Sequence, residues 1–151
     1  MYEIVTEIEI NAACHAVWRV LMDFVHHPEW NPFVRRISGE AKVGNRLEVS
    51  ICPPGGKGMT FRPKVLAVQA NAELRWLGHL MVPGLFDGEH YFVLHPLAAD
   101  RTRLVHGERF SGLLVPLLKS QLESGTRAGF TAMNEALKLR VENHSATTSH
   151  S

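Results

Sequence analysis

Ile4, Thr6, Ile8 and Ile10 alternate with Val5, Glu7 and Glu9, the period-two pattern of an antiparallel strand with one buried face. The period then lengthens. Val17, Trp18, Val20, Leu21 and Phe24 recur at helical spacing, with Asn11 nearby as an N-cap, which predicts an amphipathic helix from Ala12 to about Phe24. Pro28 and Pro32 restrict the next stretch, His26 to Pro32, to a short turn.

From Phe33 to Phe110 the chain reads as strands divided by turn residues. The runs are Phe33 to Ser38, Arg46 to Cys52, Met59 to Val68, Glu73 to Met81, Gly88 to His95 and Thr102 to Phe110. Their dividers are Gly44-Asn45, Pro53 to Gly56, Asn71, Pro83-Gly84 and Ala99-Asp100. With the first run this makes a seven-stranded sheet, antiparallel because such short turns cannot carry a parallel crossover.

After Ser111-Gly112 a helical pattern runs to about Val141, with Leu114, Leu118, Leu122, Phe130, Met133 and Leu137 on its apolar stripe. Gly125 and Gly129 lie on that stripe, where each costs about 1 kcal/mol of helix propensity, so the backbone there approaches the sheet closely or leaves room for something else. The expected organisation is one domain over residues 1–142, followed by a polar tail, 143–151, read as disordered. The fold class is α+β: a sheet curved around one long C-terminal helix, with two short helices after the first strand. A sheet curled on a single helix touches it along only part of its concave face, which predicts a cavity between them.

Composition removes other classes. The 151 residues carry 16 Lys+Arg against 15 Asp+Glu, a formal net charge of +1, and the basic residues are scattered, so no nucleic-acid partner is expected. No apolar run approaches the roughly 18 residues a membrane span requires, and no signal-peptide pattern is read at the start, so a cytoplasmic location is expected. Cys14 and Cys52 are read as reduced packing residues.

Several segments together resemble a known family. They are Val17-Trp18 with Val20-Leu21 and Asp23-Phe24; Pro28 to Phe33; Leu74-Arg75-Trp76; Gly88-Glu89-His90 with Phe92 and Leu94; the alternating Thr102 to Gly112; and Gly129-Phe130 with Met133 to Leu137. In this order, from Ile4 to Val141, they are similar to the SRPBCC superfamily, the START-like and polyketide cyclase/dehydrase-like proteins. The resemblance implies a helix-grip fold whose members bind lipids, sterols, plant hormones or polyketides, some catalysing cyclisation or dehydration. Fold alone does not fix function.

The residues themselves narrow the chemistry. In the last strand Thr102, Leu104, His106, Glu108 and Phe110 share one face and Arg101, Arg103 and Arg109 the other, so His106 and Glu108 are expected to look inward, roughly 6.5 to 7 Å apart at ~3.3 Å per residue. A hairpin through Ala99-Asp100 brings His90, on a face with Phe92 and Leu94, toward Glu108. An imidazole beside a buried carboxylate can act as a general base, can hydrogen-bond a ligand, or can satisfy buried polar groups. As a metal half-site the pair lacks further ligands at metal spacing, and nothing requires a cofactor.

The expected function is binding of a hydrophobic small molecule: a lipid, polyketide or aromatic compound. The candidate lining is Trp30, Trp76, His90, Phe92, Leu104, His106, Glu108, Phe110, Phe130 and Met133. One alternative is a cofactor-free cyclase or dehydratase in which His106 abstracts a proton and Glu108 orients it. Another is an interaction module with a collapsed cavity. His26-His27 reads as a solvated loop, and Pro53 to Gly58 and Met81 to Gly88 as lids whose apolar tips mark a ligand or a monomer–homodimer contact.

Overall fold

The computed structural model describes residues 2–80 and 82–149. Strand β1 (Tyr2–Ile10) leads into α1 (Cys14–Met22), a 3-10 turn (Phe24–His26) and α2 (His27–Trp30). Then come β2 (Val34–Ser38), β3 (Glu48–Ile51), β4 (Met59–Phe61), β5 (Lys64–Gln69), β6 (Glu73–His79), β7 (Asp87–Ala98) and β8 (Arg101–Ser111). The C-terminal helical rod comprises α3 (Val115–Gln121), a π-helical turn (Leu122–Thr126) and α4 (Arg127–Ser149).

Every strand pair is antiparallel, as expected, but the described residues form eight strands in two groups, β1-β8-β7-β6-β5 and β2-β3-β4. The extra strand comes from Pro63. The expected run from Met59 to Val68 breaks at Arg62-Pro63, where a residue without an N–H cannot continue a ladder. The two groups join through the backbone: Leu47 N–H donates to the Pro63 carbonyl and Gly44 N–H to that of Val65, each at 2.9 Å. This seam lets the sheet turn around the helix.

Helix α1 is shorter than its apolar period implies. Ala13 holds its N-cap position without a side-chain bond, while Asn11, expected there, gives its backbone N–H to the Glu142 carboxylate at 3.2 Å. Helix α4 buries Phe130, Met133, Leu137 and Val141 against the concave face, together with the polar Asn134. The tail expected to be disordered over 143–151 instead continues this helix through Ser149, since neither Gly nor Pro interrupts it after Val141. His150 and Ser151 lie outside the described residues, as does Met81, expected in a lid loop.

On the convex face Tyr91 O–H donates to Glu3 at 2.7 Å and Arg109 donates to the same carboxylate at 3.0 Å, tying β1, β7 and β8 together. Gly107 opposes Tyr91 in the ladder, and a methyl group at Gly107 would overlap the Tyr91 hydroxyl.

Candidate functional site

Strand register sets the site in rows across the concave face. Leu74, Phe92, His106 and Thr6 form one row, and Trp76, His90, Glu108 and Ile4 the next. The third row is Gly78, Gly88, Phe110 and Tyr2. Opposed residues point to the same side, so His90 and Glu108 meet directly: His90 Nδ1 lies 3.3 Å from Glu108 Oε1. A side chain at Gly88 would overlap that carboxylate, so the glycine leaves the space in which Glu108 lies.

From Glu108 a chain of polar contacts runs inward. His90 Nε2 meets His106 Nε2 at 2.7 Å, His106 Nδ1 meets Asn134 Oδ1 at 2.8 Å, and Asn134 Nδ2 donates to Thr6 Oγ1 at 2.9 Å. Thr6 donates in turn to the His106 carbonyl at 2.8 Å. These roles fix the protons. Because the Asn134 amide nitrogen serves Thr6, its oxygen must accept from His106 Nδ1–H. Neutral His106 then offers Nε2 as an acceptor, and His90 Nε2–H donates to it. His90 Nδ1 then faces the Glu108 carboxylate.

Burial drives the His106 imidazole well below its ordinary range, reinforced by the neighbouring His90 and opposed by the Asn134 hydrogen bond. His106 is completely buried with both ring nitrogens engaged, whereas the Glu108 side chain keeps 18% of its surface. Glu108, backed by His90, keeps part of its surface open beyond the two buried histidines.

Aromatic rings pack this chain on all sides. Phe130 stacks on His106 with ring centroids 4.2 Å apart, Phe92 stacks on the same imidazole at 4.4 Å, and Trp76 stacks on His90 at 5.0 Å. Phe33 presses edge-on to Phe130 at 5.5 Å and occupies a notch left by Gly129, where a methyl group would overlap its ring. The room implied by that glycine is thus filled from within the chain. The gap between sheet and helix, bordered by Leu21, Leu74, Trp76, Phe92 and Met133, is too tight for a water molecule. At this gap, among the described residues, the hollow expected from the sheet's curvature is closed to water.

Other expected lining residues lie apart from this cluster. Leu104 is buried one row beyond His106, opposite Leu94 and Ile8, and Phe110 packs with Tyr2 and Phe86 at the other end. Trp30 packs against His27, ring centroids 4.7 Å apart, and borders a different depression. That depression is a surface cleft of about 350 Å³ between α1 and the C-terminal half of α4.

His27 overturns the solvated-loop reading. It is buried, and its Nε2 lies 2.7 Å from the Leu21 carbonyl, while Asn31 Nδ2 donates to its Nδ1 at 3.1 Å. Asn31 Oδ1 accepts the backbone N–H groups of Phe33 and Val34, so these two residues cap the entry into β2. His26 faces solvent beside Asp23. The lid loops both approach the C-terminal rod: Leu113 N–H donates to the Gly84 carbonyl at 3.1 Å, and Pro53 is the residue nearest Gly125.

Asn134 and Thr6 were not among the expected site residues. Thr6 was visible as a polar residue on an otherwise apolar strand face; Asn134 lies between Met133 and the buried Leu137, a polar group on the helix stripe. Among the described residues no group of three or more His, Cys, Asp or Glu is placed to hold a metal ion, and no helix is long and apolar enough to cross a membrane.

Comparison with known proteins places this arrangement. The model of the family described as "Polyketide cyclase / dehydrase and lipid transport" matches residues 1–142. The chain belongs to this family. Similar solved structures include a START superfamily protein from Mycobacterium smegmatis, at 20% identity over 95% of this chain and 99% of that one, TM-score 0.72. The Zhui aromatase/cyclase from Streptomyces sp. R1128 is similar at 17% identity over 93% of each chain, TM-score 0.76. A protein from Thermus thermophilus matches at 19% identity over 95% of this chain and 99% of that one, TM-score 0.75. At these identities the likeness is one of fold. No curated protein matches the chain. The START-like, polyketide cyclase/dehydrase-like fold is thus the frame in which the Glu108–His90 pair sits.

Proposed function

We propose that this member of the polyketide cyclase/dehydrase and lipid-transport family binds a small, mainly apolar molecule with one polar group, held against Glu108 and His90. The observation that carries this reading is the hydrogen-bonded chain from Thr6 to Glu108, in which His90, His106 and Asn134 are buried while the Glu108 side chain keeps 18% of its surface. An ionisable pair inside an aromatic core costs folding free energy, and structure by itself would be served as well by apolar residues. A carboxylate oriented by two histidines, by contrast, presents a fixed acceptor, or a fixed donor once protonated, to a ligand hydroxyl or carbonyl.

The closed interior makes binding an opening event. Ligand sites of this kind enclose about 300 Å³ or more, so Phe33, Trp76 or Phe130 must move, and the free energy of opening subtracts from the intrinsic affinity. Native mass spectrometry of the protein purified from its own source tests the reading: a co-purifying organic molecule that Glu108→Gln releases supports it. A ligand retained equally by Glu108→Gln, or consistently bare protein that takes up no lipid or polyaromatic compound, overturns it.

The partial exposure of Glu108 favours one second reading, proton transfer in a cyclisation or dehydration, with Glu108 as the base and His106 as a positioning residue. In that case Glu108→Gln abolishes turnover of a polyketide-like carbonyl compound while its binding persists. The closed interior favours a third, an interaction module, for which a partner protein rather than a small molecule would co-purify.

A further inference from the structure

The cleft between α1 and α4 is separate from the Glu108 pair, and its chemistry is different. Its floor is apolar, from Ala16 and Val20 on α1, Val141 on α4 and the ring of Trp30. Arg19 and His15 stand one turn apart on α1 at one wall, and Arg140 stands opposite on α4. One carboxylate, Asp23, lines the cleft and pairs with His26 at 2.7 Å; Glu29, outside the lining, pairs with Arg140 at 3.0 Å and lies 3.8 Å from His26. Among the described residues Arg19 and His15 form no ion pair. Arg140 commits one nitrogen to Glu29 and keeps further N–H donors of its five.

We propose that this cleft is a binding site for a small organic anion, an aromatic carboxylate or phosphate monoester whose ring lies on Trp30 and whose anionic group is held by Arg19 with Arg140. The guanidinium fork matches both anions in a bidentate manner, and such charge-assisted bonds are the stronger kind. A volume of about 350 Å³ accommodates a one- or two-ring body. An inorganic anion would leave the Trp30, Val20 and Val141 surface uncovered, and a neutral ring would leave Arg19 uncompensated. The site is independent of the proposed function, since none of its residues takes part in the Glu108 chain.

The test is a ¹H–¹⁵N NMR titration of the whole chain with benzoate, phenyl phosphate and, as the neutral counterpart, benzamide. Benzoate and phenyl phosphate are expected to shift the Trp30 indole N–H and the amides of residues 15–20 and 140–143. Arg19→Glu is expected to raise their Kd by about tenfold or more, the loss of one charge-assisted contact. Arg19→Gln should raise it less. Arg36→Glu makes the same charge change at an exposed position on β2 and should leave binding unchanged. The proposal is overturned if benzamide binds as well as benzoate, if Arg19→Glu and Arg36→Glu behave alike, if the shifts centre on His90 and His106, or if no saturable shift occurs at millimolar ligand.

Discussion

Side chains in the Thr6-to-Glu108 chain hold one another's orientation, so the effect of replacing one depends on what it leaves unsatisfied. Asn134→Ala leaves the His106 Nδ1–H without an acceptor in the interior, and a loss of about 1–3 kcal/mol in urea unfolding is expected. Gly88→Ala acts differently. The added methyl displaces only the flexible end of Glu108, so stability should change by less than about 1 kcal/mol, while ligand retention falls as in Glu108→Gln. Retention unchanged in Gly88→Ala would separate the carboxylate's position from binding.

Histidine burial gives stability a defined pH dependence. Burial lowers both His106 and His27, the latter despite its bond to the Leu21 carbonyl, so below about pH 6.5 the unfolded chain takes up protons that the folded chain refuses. The stability contributed by these neutral rings is complete above that pH and is lost as pH falls, by about 1.4 kcal/mol per pH unit for each histidine. His26, raised by Asp23, works in the opposite direction from an exposed position. Urea midpoints measured from pH 7.5 to 5 should therefore decline below 6.5, and His27→Gln should flatten the decline.

At the scale of elements, two glycines on the C-terminal rod differ in what surrounds them. Gly129→Ala drives a methyl into the Phe33 ring and should cost about 1–3 kcal/mol, as overpacking does. Gly125 has only Pro53 within reach, at 3.9 Å, and Gly125→Ala should be neutral or stabilising by up to about 1 kcal/mol. Equal effects in urea unfolding would contradict the assigned packing. This pair also marks what the sequence could and could not disclose. Period two along β8 put His106 and Glu108 on the inner face, and the Ala99-Asp100 turn implied that His90 lies near Glu108, whereas their direct pairing depends on a bulge between Pro96 and Ala98 that no periodicity shows. The stripe from Phe130 to Leu137 located the buried side of α4. Periodicity could not say that Phe33, remote in sequence, fills the space beside Gly129, nor that Asn134 lands on His106, because both depend on how the helix sits on the sheet. It also passed over Pro63, a single residue that divides a strand without altering its apolar pattern, and over His27, whose burial rests on the Asn31 turn.

For the molecule as a whole, the closed interior ties stability to ligand capacity. Phe33→Ala should remove about 3–5 kcal/mol of stability and leave a void beside Phe130 and Gly129 large enough for a small ring. Thermal unfolding with saturating indole should recover part of that loss in the variant and leave the parent chain unaffected. An equal shift in both would mean that the parent interior already admits such molecules.

Thr6 settles more than a local bond. By fixing the Asn134 amide it makes the inner end of the histidine pair a dead end: buried His106 resists a second proton, and Asn134 offers no onward acceptor. The row is therefore no conduit through the protein. If the proposed ligand exchanges a proton at Glu108, that proton must return by the same door, to the ligand or to the solvent that replaces it.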